Sequence, residues 1–208
     1  MAVIRFFQDG GAFMWPILII LGLGLAVALE RYFYLSKTTR SVKKTWKQLS
    51  PMLQAQDYHN AQKLTASTRS PLAKMLNYGF ARKTAQAKRE TIESAMMEGV
   101  MEVMPELEER TPYLATFANI ATLLGLLGTI IGLINAFTAV ANADPAAKAD
   151  LLSASISLAM NTTAFGLIAA IPLILLHSFL AAKTAKLVDA LEMSAVKCLN
   201  LMDVQAAA

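Results

Sequence analysis

Cysteine is nearly absent: Cys198 is the single one in 208 residues. That excludes a disulfide framework and a cysteine-ligated metal cluster, and leaves a reduced thiol, packed or facing solvent. Histidine is almost as scarce, and His59 and His177 lie far apart in the chain. They form no ligand pair by spacing, and His177 reads as an interfacial or packing residue. No glycine-rich loop follows a strand pattern, so the phosphate-cradling motifs are excluded. Charge is also sparse, at 16% of residues, and it is confined to a few blocks. No catalytic residue, metal site or cofactor is expected, and nothing in the sequence supports an enzyme.

What is abundant is apolar surface. Hydrophobic residues make up 55% of the chain and its mean hydropathy is +0.45, more than a soluble domain of this size usually carries. The expected fold is an all-α membrane protein with three transmembrane helices. Residues 10–30 form the first, with Pro16 in its opening turns, where a lost hydrogen bond costs least. Trp15, Tyr32 and Tyr34 bracket it as interfacial anchors. Residues 111–141 form the second span, longer than the roughly 20 residues a bilayer needs, so it is expected to tilt or project. After a loop at 142–150, residues 151–182 form the third, interrupted by Pro172. If the tail at 183–208 continues that helix, residues 151–203 make a rod of roughly 80 Å. The segment 1–9 suits a short amphipathic turn at a membrane surface, with no small-residue cleavage site to suggest a removed signal peptide.

The net charge of +4 is uneven. Residues 31–110 hold 14 Lys and Arg against 8 Asp and Glu, a surplus of +6. Membrane topology explains that surplus more simply than nucleic-acid binding. Only Arg5 precedes the block, and only Lys148 lies in the loop between the later spans. The block and the tail are therefore placed in the cytoplasm and the N-terminus outside. Long helices continuing inward suggest a cytoplasmic helical bundle with a vestibule. Within the block, 41–49 reads as a basic amphipathic helix broken by Ser50-Pro51. A second helix is expected over 57–65, capped by Asp57. A third starts at Pro71 and ends near Gly79, and a fourth covers about 85–109. The fourth puts Ile92, Met96, Val100, Val103 and Leu107 on one side and Glu98, Glu102, Glu106 and Glu109 on another. Such an acidic row reads as a solvated or ion-paired face, with pairing to the basic segment of another subunit as the sharper alternative.

The most informative stretch runs from Asn119 to Asn135. It is apolar enough for lipid, yet Ala118, Thr122, Gly125, Thr129, Gly132 and Ala136 recur at helical spacing and are expected to share one face. A small, weakly polar stripe on a membrane helix either packs on a neighbour or faces something other than lipid. Gly125, Gly128 and Gly132 suit close packing. The third span has its own cluster: Ser153, Ser155, Ser157, then Asn161, Thr162 and Thr163, then Gly166. Hydroxyls in membrane helices often bond their own preceding carbonyls. Two connected helices bearing Thr, Asn and Gly at similar depth can also line a narrow hydrated path. Neither contains Asp, Glu or Lys, so a titrating group must come from elsewhere, most simply a partner helix. Glu30 is expected to pair with Lys183 or Lys186 at the cytoplasmic edge.

These stretches together resemble the MotA/TolQ/ExbB proton-channel family, and within it the ExbB type. The matching segments are 11–18 with Ala28-Leu-Glu-Arg31, then 70–74, 124–137 and 163–172. Three spans with a large loop after the first fit ExbB and TolQ better than four-span MotA. The resemblance implies a homo-oligomeric, pentameric ring in a bacterial inner membrane around an ExbD-type single-span partner with an intramembrane aspartate. That partner would pass proton-driven motion to a TonB-type protein for uptake across an outer membrane. The family's pore-lining threonines fall on Thr129 and Thr163, and Thr162 and Asn161 are candidates for the same pathway. One position departs: the glutamate usual eight residues before the glycine matched by Gly166 is Leu158 here. Alternatives are a TolQ-like or gliding-type stator, or a non-conducting membrane scaffold.

Overall fold

The computed structural model describes residues 11–84, 87–141 and 143–203; the amphipathic turn expected at 1–9 lies outside them. Among the described residues the regular structure is helical: α1 (Met14–Gln54), α2 (Tyr58–Ser67), α3 (Pro71–Thr84), α4 (Arg89–Glu108), α5 (Thr111–Ala141) and α6 (Lys148–Asp203). Three stretches are long and apolar enough to cross a membrane, within Met14–Gln54, Arg89–Ala141 and Lys148–Met202. This is the pattern of a multi-pass, all-α membrane protein.

Three expected breaks are absent. Helix α1 does not stop at Glu30-Arg31, where the apolar run ends, nor at Ser50-Pro51; Pro51 lies inside it. A proline removes one donor and crowds the carbonyl four residues back. Helix α1 carries that cost and ends three residues later. Pro172 likewise lies inside an uninterrupted α6, and a membrane helix tolerates such a residue where neighbours satisfy the freed carbonyl.

The chain divides into two compact units. The first takes the described residues up to Glu30 together with Arg110–Phe179. Its core comes from one narrow seam per helix. Met14, Ile17, Gly24 and Ala28 are buried on α1, and Leu114, Ala118, Ala121, Gly125, Gly128, Gly132 and Ala136 on α5. On α6 the seam runs through Ala159, Thr162, Gly166, Ala169 and Leu173, with Phe165 and Ala170 buried beside it. Steps of three and four residues make these coiled-coil-like seams. Around them Leu123, Ile130, Ile134, Phe137 and Leu175 are exposed, as suits helices whose outer faces meet lipid. In this unit Arg110 adopts φ 62°, the left-handed conformation common just past a helix end. Its guanidinium pairs with Glu30 at 3.1 Å.

The second unit takes Arg31–Glu109 and the described residues from Leu180 on. Here α1 buries Arg31, Leu35, Thr38, Val42, Thr45 and Leu49, again alternating steps of three and four. Helix α2 is capped by Asp57, whose carboxylate accepts from the Asn60 backbone N–H at 3.2 Å and from Asn60 Nδ2 at 2.6 Å. These bonds hold the Asp57 carboxyl below its usual range, the Asn60 side chain contributing most. Helix α3 runs past Gly79 instead of ending there. A Cβ at Gly79 would collide with the Met96 side chain, so this glycine admits α4, as Gly99 does where a Cβ would meet Met75 Cα at 2.8 Å. Helix α4 buries Ile92, Met96, Val100, Val103 and Leu107, and its acidic row is exposed. Two of that row are engaged by α3: Lys74 pairs with Glu106 at 2.8 Å and the Tyr78 hydroxyl donates to Glu102. Both contacts raise the donor's pKa, chiefly through the hydrogen bond to the carboxylate.

Arg31 occupies a seam position with 2% of its surface exposed. Its guanidinium donates to the Glu106 carbonyl at 3.4 Å and to the Leu107 carbonyl, and it lies 4.7 Å from the Tyr34 ring centroid. Thr184 also donates to Leu107 O, at 3.4 Å. A cation on the last carbonyls of α4 complements the negative end of the helix dipole.

Cys198 is fully buried, and burial pushes its thiol up to about 12. The thiolate is the reactive form. Maleimide labelling at neutral pH is therefore expected to be at least about tenfold slower on the folded protein than after denaturation. Equal rates would contradict this packing.

Candidate functional site

The apolar helices that could shape a polar path are α5 and α6, both represented in the first unit. What brings them together is the removal of side chains where they cross. A Cβ on Gly166 would stand 2.8 Å from Ala121 O and 3.0 Å from Gly125 Cα. A Cβ on Gly125 would stand 3.2 Å from both Gly166 Cα and Thr163 Cα. The same seam continues with Gly128 against the Thr162 side chain and Gly132 against Ala159, whose Cβ a Gly132 Cβ would meet at 2.9 Å. Backbone meets backbone here, a small-residue contact of the kind that replaces hydrophobic driving force between membrane helices.

That approach allows a hydrogen bond between the two spans. Thr163 Oγ1 donates to Gly125 O at 2.8 Å. The carbonyl already serves its own helix ladder, and the glycine leaves its second lone pair open to a neighbour. Three other threonine hydroxyls donate to their own helices. Thr129 Oγ1 donates to Leu126 O at 2.6 Å, Thr162 Oγ1 to Leu158 O at 3.0 Å and Thr122 Oγ1 to Ala118 O at 3.1 Å.

The expected single stripe separates into two. Gly125 and Gly132 lie in the buried seam with Gly128, whereas Thr122 is exposed and Thr129 half-buried beside it. The helical spacing was read correctly as periodic, but the buried arc centres on the glycines and alanines, because only they allow the backbone contact. Thr162, placed on the pathway with Thr163, is buried at 2% exposure against Gly128. Asn161 and Thr163 are half-buried. Leu158, at the position of the missing carboxylate, turns its side chain toward Gly11 before α1, where a Cβ would lie 3.6 Å from Leu158 Cδ1. The apolar replacement is thus an ordinary packing residue.

Glu30 pairs with Arg110. Within the second unit Lys183 Nζ donates to Ser36 Oγ at 2.6 Å and sits 4.1 Å from the Tyr32 ring centroid. Sequence reading missed Arg31 and Arg110 as anchors. The available signal was register: Arg31 falls seven residues after Gly24 and three after Ala28, on the seam itself.

Among the described residues no group of His, Cys, Asp and Glu could hold a metal ion. The chemistry this site offers is hydroxyl and carbonyl oxygen along closely packed helices, without a titrating side chain of its own.

Comparison with known proteins supplies the context. The profile of the MotA/TolQ/ExbB proton channel family matches residues 67–193. A putative biopolymer transport protein ExbB homolog of Methanothermobacter thermautotrophicus is 30% identical over 193 residues, covering 92% of this chain and 67% of that protein. The Tol-Pal system protein TolQ of Haemophilus influenzae is 35% identical over 92 residues, 40% of each chain. The biopolymer transport protein ExbB of Aquifex aeolicus is 36% identical over 85 residues, 40% of this chain and 57% of that one.

Proposed function

Because this chain belongs to the MotA/TolQ/ExbB proton channel family, we propose that it is the proton-channel subunit of an ExbB-type inner-membrane motor. In this reading identical subunits form a ring, pentameric as the family resemblance implies, around an ExbD-type helix bearing an intramembrane aspartate. The proton motive force would then energise a TonB-type protein for transport across an outer membrane. The chain acts as a conductor and stator, not as an enzyme.

The observation that carries this reading is the Thr163–Gly125 hydrogen bond between two spans that contain no carboxylate. It fixes polar oxygen beside a glycine-lined crossing in helices otherwise suited to lipid. We read such oxygen as a place for a polar or ionisable guest, whose acid has to come from a partner. Thr129 and Thr163 are the residues we assign to that contact; Gly125, Gly128, Gly132 and Gly166 hold the two helices close enough to present them.

Co-reconstitution into vesicles with a single-span partner carrying one intramembrane Asp tests the proposal. Proton flux is expected with both proteins and not with either alone. The Thr129→Val, Thr163→Val double variant should lower that flux at least about tenfold, the scale of a lost positioned hydrogen-bonding group. Unchanged flux in the double variant sinks the residue assignment, and no flux under any combination favours a scaffold. The similarity to TolQ of Haemophilus influenzae favours a second reading, a TolQ-like stator acting on the envelope. Deletion separates the two: lost uptake supports the first, lost envelope integrity the second.

A further inference from the structure

Two exposed helix faces of the second unit carry opposite charge. On α1, Lys37, Arg40, Lys44 and Lys47 are exposed and step by three, four and three residues, so they share one face. It lies opposite the buried side of that helix, where Leu35, Thr38, Val42 and Leu49 sit. On α4, Met97 and Met101 are exposed one turn apart with Glu90, Glu93 and Glu98 around them. That face lies opposite the buried Ile92, Met96, Val100 and Val103. Among the described residues none of these charged side chains forms an ion pair. Solvation alone accounts for exposed charge. The two methionines in line set the α4 face apart, because exposed methionine is a mark of surfaces that bind other proteins.

The two faces lie at the same depth. Arg31 donates to the Glu106 and Leu107 carbonyls and Thr184 to Leu107 O, which holds the C-terminal end of α4 beside α1 and α6. Arg89, at the other end of α4, donates to Asn200 Oδ1 at 3.1 Å, and Asn200 follows Thr184 by 16 residues. Helix α6 in turn runs beside the part of α1 that follows Arg31: Lys183 donates to Ser36, and Thr39 and Lys43 share a cavity with Lys186 and Ala190. Helix α4 is therefore antiparallel to α1 and lies alongside the residues after Arg31, so its acidic face and the basic face of α1 overlap along the bundle.

A two-fold contact between copies would set like charge against like. A head-to-tail contact sets the α1 face of one copy against the α4 face of the next, and repeated by rotation it closes into a ring. We infer that Lys37, Arg40, Lys44 and Lys47 of one copy dock on the α4 face of a second copy, their alkyl stems covering Met97 and Met101 and their ammonium and guanidinium groups meeting the surrounding glutamates. This rests on the proposed ring only in requiring more than one copy. An anionic membrane surface is the competing occupant of the basic face. Lys44 follows Leu29, the end of the uncharged run, by 15 residues on one continuous helix, about 22 Å, whereas surface charge is screened over about 8 Å at physiological salt.

The test uses the full chain in detergent micelles with no other protein present. Lys44→Cys and Glu98→Cys variants carrying different tags are co-expressed and treated with a short bis-maleimide. A cross-linked dimer bearing both tags is expected, and neither variant alone should give a dimer; the single variants also control for Cys198, which is buried. Lys63→Cys, exposed on α2, should give no mixed dimer with Glu98→Cys. Adding Arg40→Glu and Lys47→Glu to the Lys44→Cys copy should lower the mixed dimer about fivefold, the upper end for one exposed ion pair. Adding Glu90→Lys and Glu93→Lys to the Glu98→Cys copy should restore it. Three results overturn the inference: a dimer from one variant alone, which marks a two-fold contact; no mixed dimer beyond the Lys63→Cys control, with anionic-vesicle binding lost in the Arg40→Glu, Lys47→Glu protein, which gives the basic face to the membrane; or charge reversal without effect on the mixed dimer. Proton flux is not read, so the cross-link can fail while the functional reading stands, and the reverse.

Discussion

Gly166→Ala is expected to destabilise the protein by about 2–3 kcal/mol, the upper part of the usual range for overpacking a filled interior. For a chain of this length that corresponds to a fall in melting temperature of roughly 5–10 °C. The added methyl would meet Ala121 O at 2.8 Å and Gly125 Cα at 3.0 Å, and both are backbone atoms that cannot rotate aside. The helices would have to part, and parting them stretches the 2.8 Å bond from Thr163 to Gly125 O. Two controls isolate the cause. At Gly24 the methyl would meet Leu173 Cδ2 at 2.6 Å, the end of a flexible side chain, so Gly24→Ala should cost less. At Gly22 nothing lies within 4 Å, and Gly22→Ala should be neutral or stabilising by up to about 1 kcal/mol through helix propensity. Thermal unfolding in one detergent orders the three variants. An equal effect at Gly22 and Gly166 would refute the backbone-contact account.

Arg31→Met should cost about 3 kcal/mol. Methionine keeps much of the apolar stem but removes the donors that serve the carbonyls of Glu106 and Leu107. Exchanging a whole buried ionic group for apolar residues is often harmless, because both halves of the interaction go together. Here the acceptors stay behind, at the end of α4, and a buried acceptor stripped of its donor costs about 1–3 kcal/mol, more when the lost donor was charged. Arg31→Lys should recover part of the loss, since an ammonium can reach one carbonyl but lacks the planar fork that spans two. Hydrogen exchange of the last turn of α4 should quicken in Arg31→Met more than exchange in α2. A variant as stable as the wild type would show that water, or Thr184 alone, satisfies Leu107.

Much of the architecture was legible because hydropathy and helical period are strong signals. The three apolar runs, the Asp57 cap and the buried side of α4 each follow from local pattern. The failures share a cause. Gly79, Pro51 and Pro172 were read as punctuation, yet each lies inside a helix. Tertiary contact decides such positions: Gly79 is small because Met96 is there, and no one-dimensional pattern contains that neighbour. The candidate site was legible in its residue types but not in its arcs. A 3.6-residue period places Thr122 and Gly125 close enough to share a face, and only the crossing with α6 shows that the buried arc runs through Gly128 and excludes Thr122. The partner of Glu30 was unreadable for a similar reason, since Arg110 is brought near it by the chain's turn at φ 62°.

The direction of two hydrogen bonds has a chemical consequence. Thr163 gives its hydrogen to Gly125 O and Thr129 gives its hydrogen to Leu126 O. A hydroxyl has one hydrogen and two lone pairs, so as folded both oxygens confront a newcomer with electron density alone. They favour a guest that brings a hydrogen and disfavour one that brings a negative charge. An acid in contact with them is stabilised in its neutral form, and its affinity for a proton rises. To favour the anion instead, a threonine must release its carbonyl and rotate. For Thr163 that release also severs the hydrogen bond between α5 and α6, so loading and unloading a proton there would be tied to whether the two helices remain fastened.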